Sequence, residues 1–236
     1  MMKYARLPVV ALLLVSVSVN CVLAGAIGFG ITTRAAASAL VHKIKSTAGV
    51  WDERANDIEQ SSIACWGDSL TAGTGASLHE DYCSVLANLL YRNSYNGGVG
   101  GETSGQIRKR MLERPDGLDG GITIIWAGRN NYMETREVIN DVSAMVASLP
   151  RQARFLVLGV IRGEYPGELS GQLGDTKISE LNRELAHAYG TSFLDIQLQF
   201  PLANASTYRA DQIHLNRLGY SKVATAVAQI ILDRNW

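Results

Sequence analysis

From residue 62 onward the chain alternates short continuous apolar runs with longer segments whose apolar positions recur every three or four residues. The runs are SIACW (62–66), ITIIWA (122–127), RFLVLGVI (154–161) and SFLDI (192–196), with YNGGV (95–99) as a weaker member. A run that is apolar at successive positions predicts a strand buried on both faces, as in a parallel sheet covered by helices. Between the runs, EDYCSVLANLLYRN (80–93) puts Tyr82, Val85, Leu86, Leu89 and Leu90 on one side of a predicted helix. TSGQIRKRMLER opens a second helix at Thr103, and REVINDVSAMVASL (136–149) forms a third. ISELNRELAHAYG (178–190) ends on Gly190 as a C-cap, and SKVATAVAQIILDR (221–234) closes the chain with Val223, Val227, Ile230 and Ile231 inward. This alternation predicts an α/β fold with a parallel sheet between helical layers. In such sheets ligands bind beyond the carboxyl ends of the strands.

The first quarter of the chain has a different pattern. A short basic start, MMKYAR, precedes an uncharged apolar stretch from Leu7 to Ile31. That stretch exceeds a secretory apolar core and is long enough to span a bilayer, which takes about 20 residues. Ala24-Gly25-Ala26 matches a small-x-small cleavage site, so residues 1–32 are either a signal peptide removed after Ala26 or a retained anchor. Asn20 before Cys21 argues against lipoprotein processing. Both outcomes export the remainder, and Lys3 and Arg6 hold the N-terminus on the cytoplasmic side, so an anchored chain faces the periplasm or the extracellular side. Residues 33–61, alanine-rich and of mixed charge, read as a helical stalk, leaving 62–236 as the main domain.

Composition narrows the partners. Lys+Arg and Asp+Glu are 22 each, so no basic face for nucleic acid is indicated. The four histidines and three cysteines do not cluster at metal-ligand spacings, and neither a metal nor another cofactor is expected. In an exported chain, Cys65–Cys83 is the one pairing that leaves Cys21 out. Cys65 falls within a predicted buried strand, however, and is expected to serve there as a small apolar filler rather than a half-cystine.

The chemistry begins at CWGDSLTAGTG (65–75), where Ser69 lies just past the end of the first predicted strand. A serine hydroxyl needs an adjacent base to act as a nucleophile. His42 lies in the stalk, His79 has no acid partner at a suggestive spacing, and His187 is inside a helix. His214, in DQIHLNRLGY, has Asp211 three residues before it. That spacing lets Asp211 hold Nδ1–H while Nε2 faces Ser69, although D-x-x-H alone also describes an aspartate capping a helix start. The order Ser, Asp, His occurs in α/β-hydrolases too, but GDSLT lacks the second glycine of their nucleophile turn. Two loops offer donors for a developing oxyanion: NGGVGGETS (96–104), with Gly101, and WAGRNNY (126–132), with Asn130.

These four pieces, in this order, resemble the blocks of the SGNH hydrolases, also called the GDSL family. Gly67-Asp68-Ser69-Leu70 is similar to the nucleophile block, Gly101 to the glycine of the second, Asn130 to the third, and Asp211 with His214 to the last. The resemblance runs from about residue 62 to the C-terminus. It implies a three-layer α/β/α sandwich with a five-stranded parallel sheet of flavodoxin-like kind, and a Ser69–His214–Asp211 triad. The oxyanion hole would comprise the N–H groups of Ser69 and Gly101 and the Asn130 side chain. Asn131 stands where the family's third block usually has aspartate, which implies a different anchoring of that loop. Asp68 is expected to organise the turn through backbone N–H groups and not to serve as the catalytic acid.

The function expected is an exported serine esterase that cleaves short acyl groups, acetyl first among them, from envelope saccharides or glycoconjugates. A lipid esterase or lysophospholipase, acyl transfer to a sugar, and a non-catalytic envelope-binding protein are the alternatives. Arg129 and Arg162, read as exposed residues at strand ends, are candidates to meet an anionic substrate group. Membrane contact is assigned to the N-terminal segment alone.

Overall fold

The computed structural model describes residues 62–113, 121–200 and 206–236. The apolar segment and the stalk assigned to residues 1–61 lie outside the described residues. Among those described, no helix is long and apolar enough to cross a membrane.

Five parallel strands form one sheet: β1 (Ser62–Gly67), β2 (Ser94–Gly98), β3 (Gly121–Trp126), β4 (Arg154–Leu158) and β5 (Phe193–Leu194), in the order β2-β1-β3-β4-β5. Side chains alternate across each strand. Ile63, Cys65, Ile124 and Trp126 face one way, under α2 (Tyr82–Leu89) and α6 (Arg217–Asp233). Ala64, Trp66 and Ile125 face the other, under α3 (Ser104–Leu112), α4 (Thr135–Ala147) and α5 (Leu173–Tyr189). The result is the three-layer sandwich expected. Register then sets the site. Gly67 pairs with Gly98 on one side and Trp126 on the other, so β1, β2 and β3 end level and their following loops emerge together. From β1 the chain turns first to β2 and then back to β3, which makes β1/β3 the switch point where a ligand crevice opens.

Several boundaries differ from the pattern for local reasons. The apolar run at 154–161 leaves the ladder after Leu158, yet Val160 stays buried because Asn182 of α5 accepts its N–H (2.8 Å) and donates to its C=O (2.9 Å). One side-chain amide thus replaces a strand neighbour. α5 begins at Leu173, five residues before the apolar period becomes evident at Ile178, and β5 is only two residues long. The final helix starts at Arg217 with Asn216 as its N-cap, accepting from Gly219 N–H.

The expectation of an unpaired Cys65 is corrected: Cys65 and Cys83 form a disulfide. Cys83 lies in the first turn of α2, on the face that packs against β1, and Cys65 points to that same face. Burial alone does not separate a filler cysteine from a half-cystine, because both are fully enclosed.

Candidate active site

Ser69 opens α1 (Ser69–Ala72), a single helical turn held at both ends. Asp68 caps it by accepting from Leu70 N–H at 2.9 Å, and Gly73 closes it with φ +88°, in the left-handed region. Gly67 has no room for a side chain: a Cβ would lie 2.1 Å from Thr71 Oγ1 and 2.5 Å from the Trp126 carbonyl oxygen. The sharp strand-to-helix transition behind Ser69 therefore requires glycine at 67.

His214 arrives from the segment before α6. Its Nε2 stands 3.0 Å from Ser69 Oγ and its Nδ1 2.7 Å from Asp211 Oδ2. The other Asp211 oxygen accepts from the backbone N–H of Ile213 (2.8 Å) and of His214 (2.7 Å). Asp211 thus caps its own turn and holds the ring at once, joining the two readings of D-x-x-H. Partial burial raises its pKa, but the ring and the two amide donors outweigh that and bring it down to about 2. It is a carboxylate at any ordinary pH. With Asp211 accepting from Nδ1–H, the tautomer leaves the Nε2 lone pair facing the serine.

The loop after β2 passes beside Ser69: a Cβ on Gly100 would be 4.0 Å from Ser69 Cβ, and Gly101 has φ +79°. The loop after β3 carries Asn130, whose Nδ2 donates to the Glu102 carbonyl at 2.8 Å. That bond uses one of its two hydrogens. Ser69, Gly100, Gly101, Asn130 and His214 share the wall of a cleft of about 530 Å³ with Thr74, Arg129, Tyr165 and Ile213.

Asp68 is buried beneath this cleft, with Asn130 Nδ2 3.5 Å from its second oxygen. Desolvation raises its pKa to about 6, against the Leu70 N–H bond and the charges of Arg129 and His214, which pull it down. Asn131 is anchored as a neutral residue. It accepts from Ser104 N–H (3.1 Å) and donates to Ser104 Oγ (3.0 Å), while Ser104 Oγ–H donates to Asp141 (2.6 Å). The loop's carboxylate is thus supplied from α4.

The two arginines part company. Arg129 is buried rather than exposed: Nη2 donates to Glu168 at 2.7 Å, and the guanidinium lies between the Tyr132 and Tyr165 rings. Glu168 also accepts from Tyr132 OH (3.0 Å) and Gly163 N–H (2.5 Å). Arg129 lines the cleft, but its charge is met inside the protein. Arg162 does not reach the cleft. Asp175 (2.5 Å) and Ser179 (3.0 Å) hold it at a separate depression against α5. Glu168, Tyr165, Thr74 and Ile213 were not legible as site residues, since none stands in a local pattern that marks a site. His79 and His187 are not among the residues lining the cleft. Among the described residues no group of three His, Cys, Asp or Glu could hold a metal.

A model of the GDSL-like lipase/acylhydrolase family matches residues 65–222. The chain belongs to this family. It is a serine hydrolase that acts on ester bonds. Curated relatives include the platelet-activating factor acetylhydrolase IB subunit alpha1 of Rattus norvegicus, 28% identical over 185 residues, covering 74% of this chain and 76% of the relative. The Homo sapiens protein of the same name is 29% identical, covering 74% and 77%. Among solved structures, a lipolytic G-D-S-L protein from Veillonella parvula superposes with a TM-score of 0.60 at 16% identity, covering 72% of this chain and 98% of that one. An acetyl xylan esterase gives 0.59 at 19% identity, covering 72% and 99%. At such identities these likenesses show the fold alone.

Proposed function

We propose that Ser69, His214 and Asp211 form a catalytic triad that hydrolyses short-chain acyl esters, acetyl esters first, outside the cytoplasm. The observation that carries this reading is the continuous Asp211–His214–Ser69 hydrogen-bond chain at 2.7 and 3.0 Å. His214 Nε2 takes the Ser69 proton as Oγ attacks the ester carbonyl, and Asp211 stabilises the imidazolium that forms. The carbonyl oxygen becomes an oxyanion, met by the N–H groups of Ser69 and Gly101 and by the second hydrogen of Asn130 Nδ2, which exchanges its long 3.5 Å contact with Asp68 for the oxyanion. Collapse of the adduct breaks the C–O bond, and His214 returns the proton to the departing alcohol. Water then attacks the acyl-serine with His214 again as base, releasing the acid and regenerating Ser69.

An acetyl group as the acyl moiety is supported by the names of relatives on both sides of the comparison, acetylhydrolases by sequence and an acetyl xylan esterase by fold. Envelope saccharides are the proposed carriers. With Arg129 paired to Glu168, the cleft offers no free cation from that residue, which favours an uncharged ester over an anionic one. Export is supported by the disulfide, since such bonds persist mainly in oxidising compartments, and by the apolar stretch from Leu7 to Ile31.

The test is labelling by a fluorophosphonate probe, followed by hydrolysis of p-nitrophenyl esters of graded length. Wild type should label, Ser69→Ala should not, and acetate should be the best substrate. A folded wild type that does not label removes the triad reading. A preference for long chains replaces the acetyl reading with a lipid esterase.

A further inference from the structure

Each proposed oxyanion donor depends on a different loop, and one side chain outside the cleft touches the support of all three. Arg110, on α3, donates from Nε to both Glu102 oxygens (2.8 and 2.9 Å) and from Nη2 to Glu102 Oε2 (2.5 Å). The same Nη2 donates to the Gly97 carbonyl at 2.9 Å, with a longer contact of 3.4 Å to the Gly67 carbonyl. The guanidinium carbon lies 5.6 Å from the centre of the Trp66 ring. Gly67 is the last residue of β1, two before Ser69. Gly97 lies in β2, just ahead of the Gly100-Gly101 turn. Glu102 directly follows Gly101, and its carbonyl accepts one hydrogen of the Asn130 amide.

We infer that the Arg110–Glu102 ion pair is the positioning device of the oxyanion hole. The inference rests on the esterase reading above. A planar guanidinium offers donors in fixed directions, so it can lock a carboxylate and neighbouring carbonyls in one arrangement. Holding the Glu102 side chain fixes the peptide whose carbonyl orients Asn130, and that bond leaves the second Nδ2 hydrogen with a long, 3.5 Å contact to Asp68 Oδ2 that an oxyanion can displace. The pair is partly shielded, with side-chain exposures of 29% for Arg110 and 14% for Glu102, which protects it from solvent competition. Lysine at 110 would keep the charge but lose the forked contact with Glu102. Because Arg110 does not line the cleft, it acts on the transition state through Asn130 and Gly101 rather than by touching substrate.

A double-mutant cycle on p-nitrophenyl acetate tests this, using Arg110→Ala, Asn130→Ala and the combination, with Arg110→Lys and Glu102→Gln as milder variants. Arg110→Ala should lower kcat by roughly 10- to 100-fold with KM little changed, below the ~10²–10³ lost with a whole oxyanion donor. In the Asn130→Ala background the same change should cost several-fold less than in wild type, because the share carried through Asn130 is already lost while the share through Gly101 remains. Millimolar guanidinium should restore part of the Arg110→Ala loss. If the losses simply add, or if a folded Arg110→Ala keeps its kcat and only melts earlier, Arg110 is a fold staple and the inference is overturned. Should Arg110→Ala not fold, Arg110→Lys is read in the same cycle with the same two outcomes. Residual activity in Ser69→Ala would instead overturn the triad reading, so the two failures are distinguishable.

Discussion

His214 Nε2 and Ser69 Oγ, 145 positions apart in sequence, stand 3.0 Å from each other at the carboxyl edge of the sheet. The contact exists because β1 ends on an obligatory glycine that throws Ser69 upward, while Asp211 ties its own turn so that the imidazole leans over it. Asp211→Asn keeps the shape of this turn but can hold the ring in the wrong tautomer. The expected outcome is a fall in kcat approaching ~10⁴-fold with KM little altered, the size seen when a triad acid is neutralised in a serine protease. Steady-state kinetics on p-nitrophenyl acetate measures it. A loss under tenfold would mean that the backbone alone orients His214.

The Asn130 amide is already half committed, with one hydrogen on the Glu102 carbonyl. Asn130→Ala should therefore remove a donor that needs no reorganisation, lowering kcat by ~10²–10³ while leaving KM nearly unchanged. Gly101→Ala acts differently. A Cβ there meets nothing within 4 Å, but φ is +79°, so the cost is backbone strain of roughly 1 kcal/mol and a tilted N–H. Its thermal stability should fall only slightly while kcat falls clearly. A kcat equal to wild type in both variants would remove these groups from the oxyanion hole.

The Cys65–Cys83 bond closes a loop of sequence separation 18 that contains the whole α1 turn. A loop of that length restricts the unfolded chain by about 3 kcal/mol. Replacing both cysteines by alanine should lower Tm by roughly 6–12 °C for a domain of this size. At a temperature where the variant is folded, kcat should stay within about threefold of wild type, since β1 and α2 also pack through apolar side chains. Differential scanning calorimetry with and without reductant checks both the bond and its size. An unchanged Tm would show that the thiols are unpaired in solution.

Much of this architecture is legible in the sequence. Strands β1, β3 and β4 are buried on both faces, so their apolar runs announced them. β2, with Ser94, Tyr95 and Asn96 exposed at the sheet edge, gave only a weak signal. Ser69, Gly101, Asn130 and His214 stand out as candidates because each follows a strand or precedes a helix within a motif of fixed spacing. The Arg129–Glu168 pair does not. Its members are 39 positions apart, and both are residue types expected at the surface. Their burial depends on how the loop after β4 folds over the loop after β3, which no local period records. Arg162 failed for the same reason in reverse: its partner Asp175 lies in the first turn of a helix that begins earlier than its apolar pattern.

Asp68 supplies the last prediction. Enclosure raises its pKa from 3.8 to about 6, although Leu70 N–H and the nearby positive charges favour the anion. Between those two values the folded chain keeps a proton that the unfolded chain releases. This contribution to stability is therefore fully present below about pH 3.8 and lost as pH rises through about 6, a change of about 3 kcal/mol. Asp68→Asn cannot ionise, and it can still accept from Leu70 N–H through its carbonyl oxygen. Any fixed cost of facing the Asn130 amide at 3.5 Å is the same at every pH and cancels in a comparison. Denaturant titrations of both proteins from pH 4 to pH 8 should show the variant gaining on wild type by about 2.5 kcal/mol, with most of the gain below pH 7. Parallel curves would mean that Asp68 ionises as freely in the fold as outside it, and that its cap and neighbouring charges fully offset its burial.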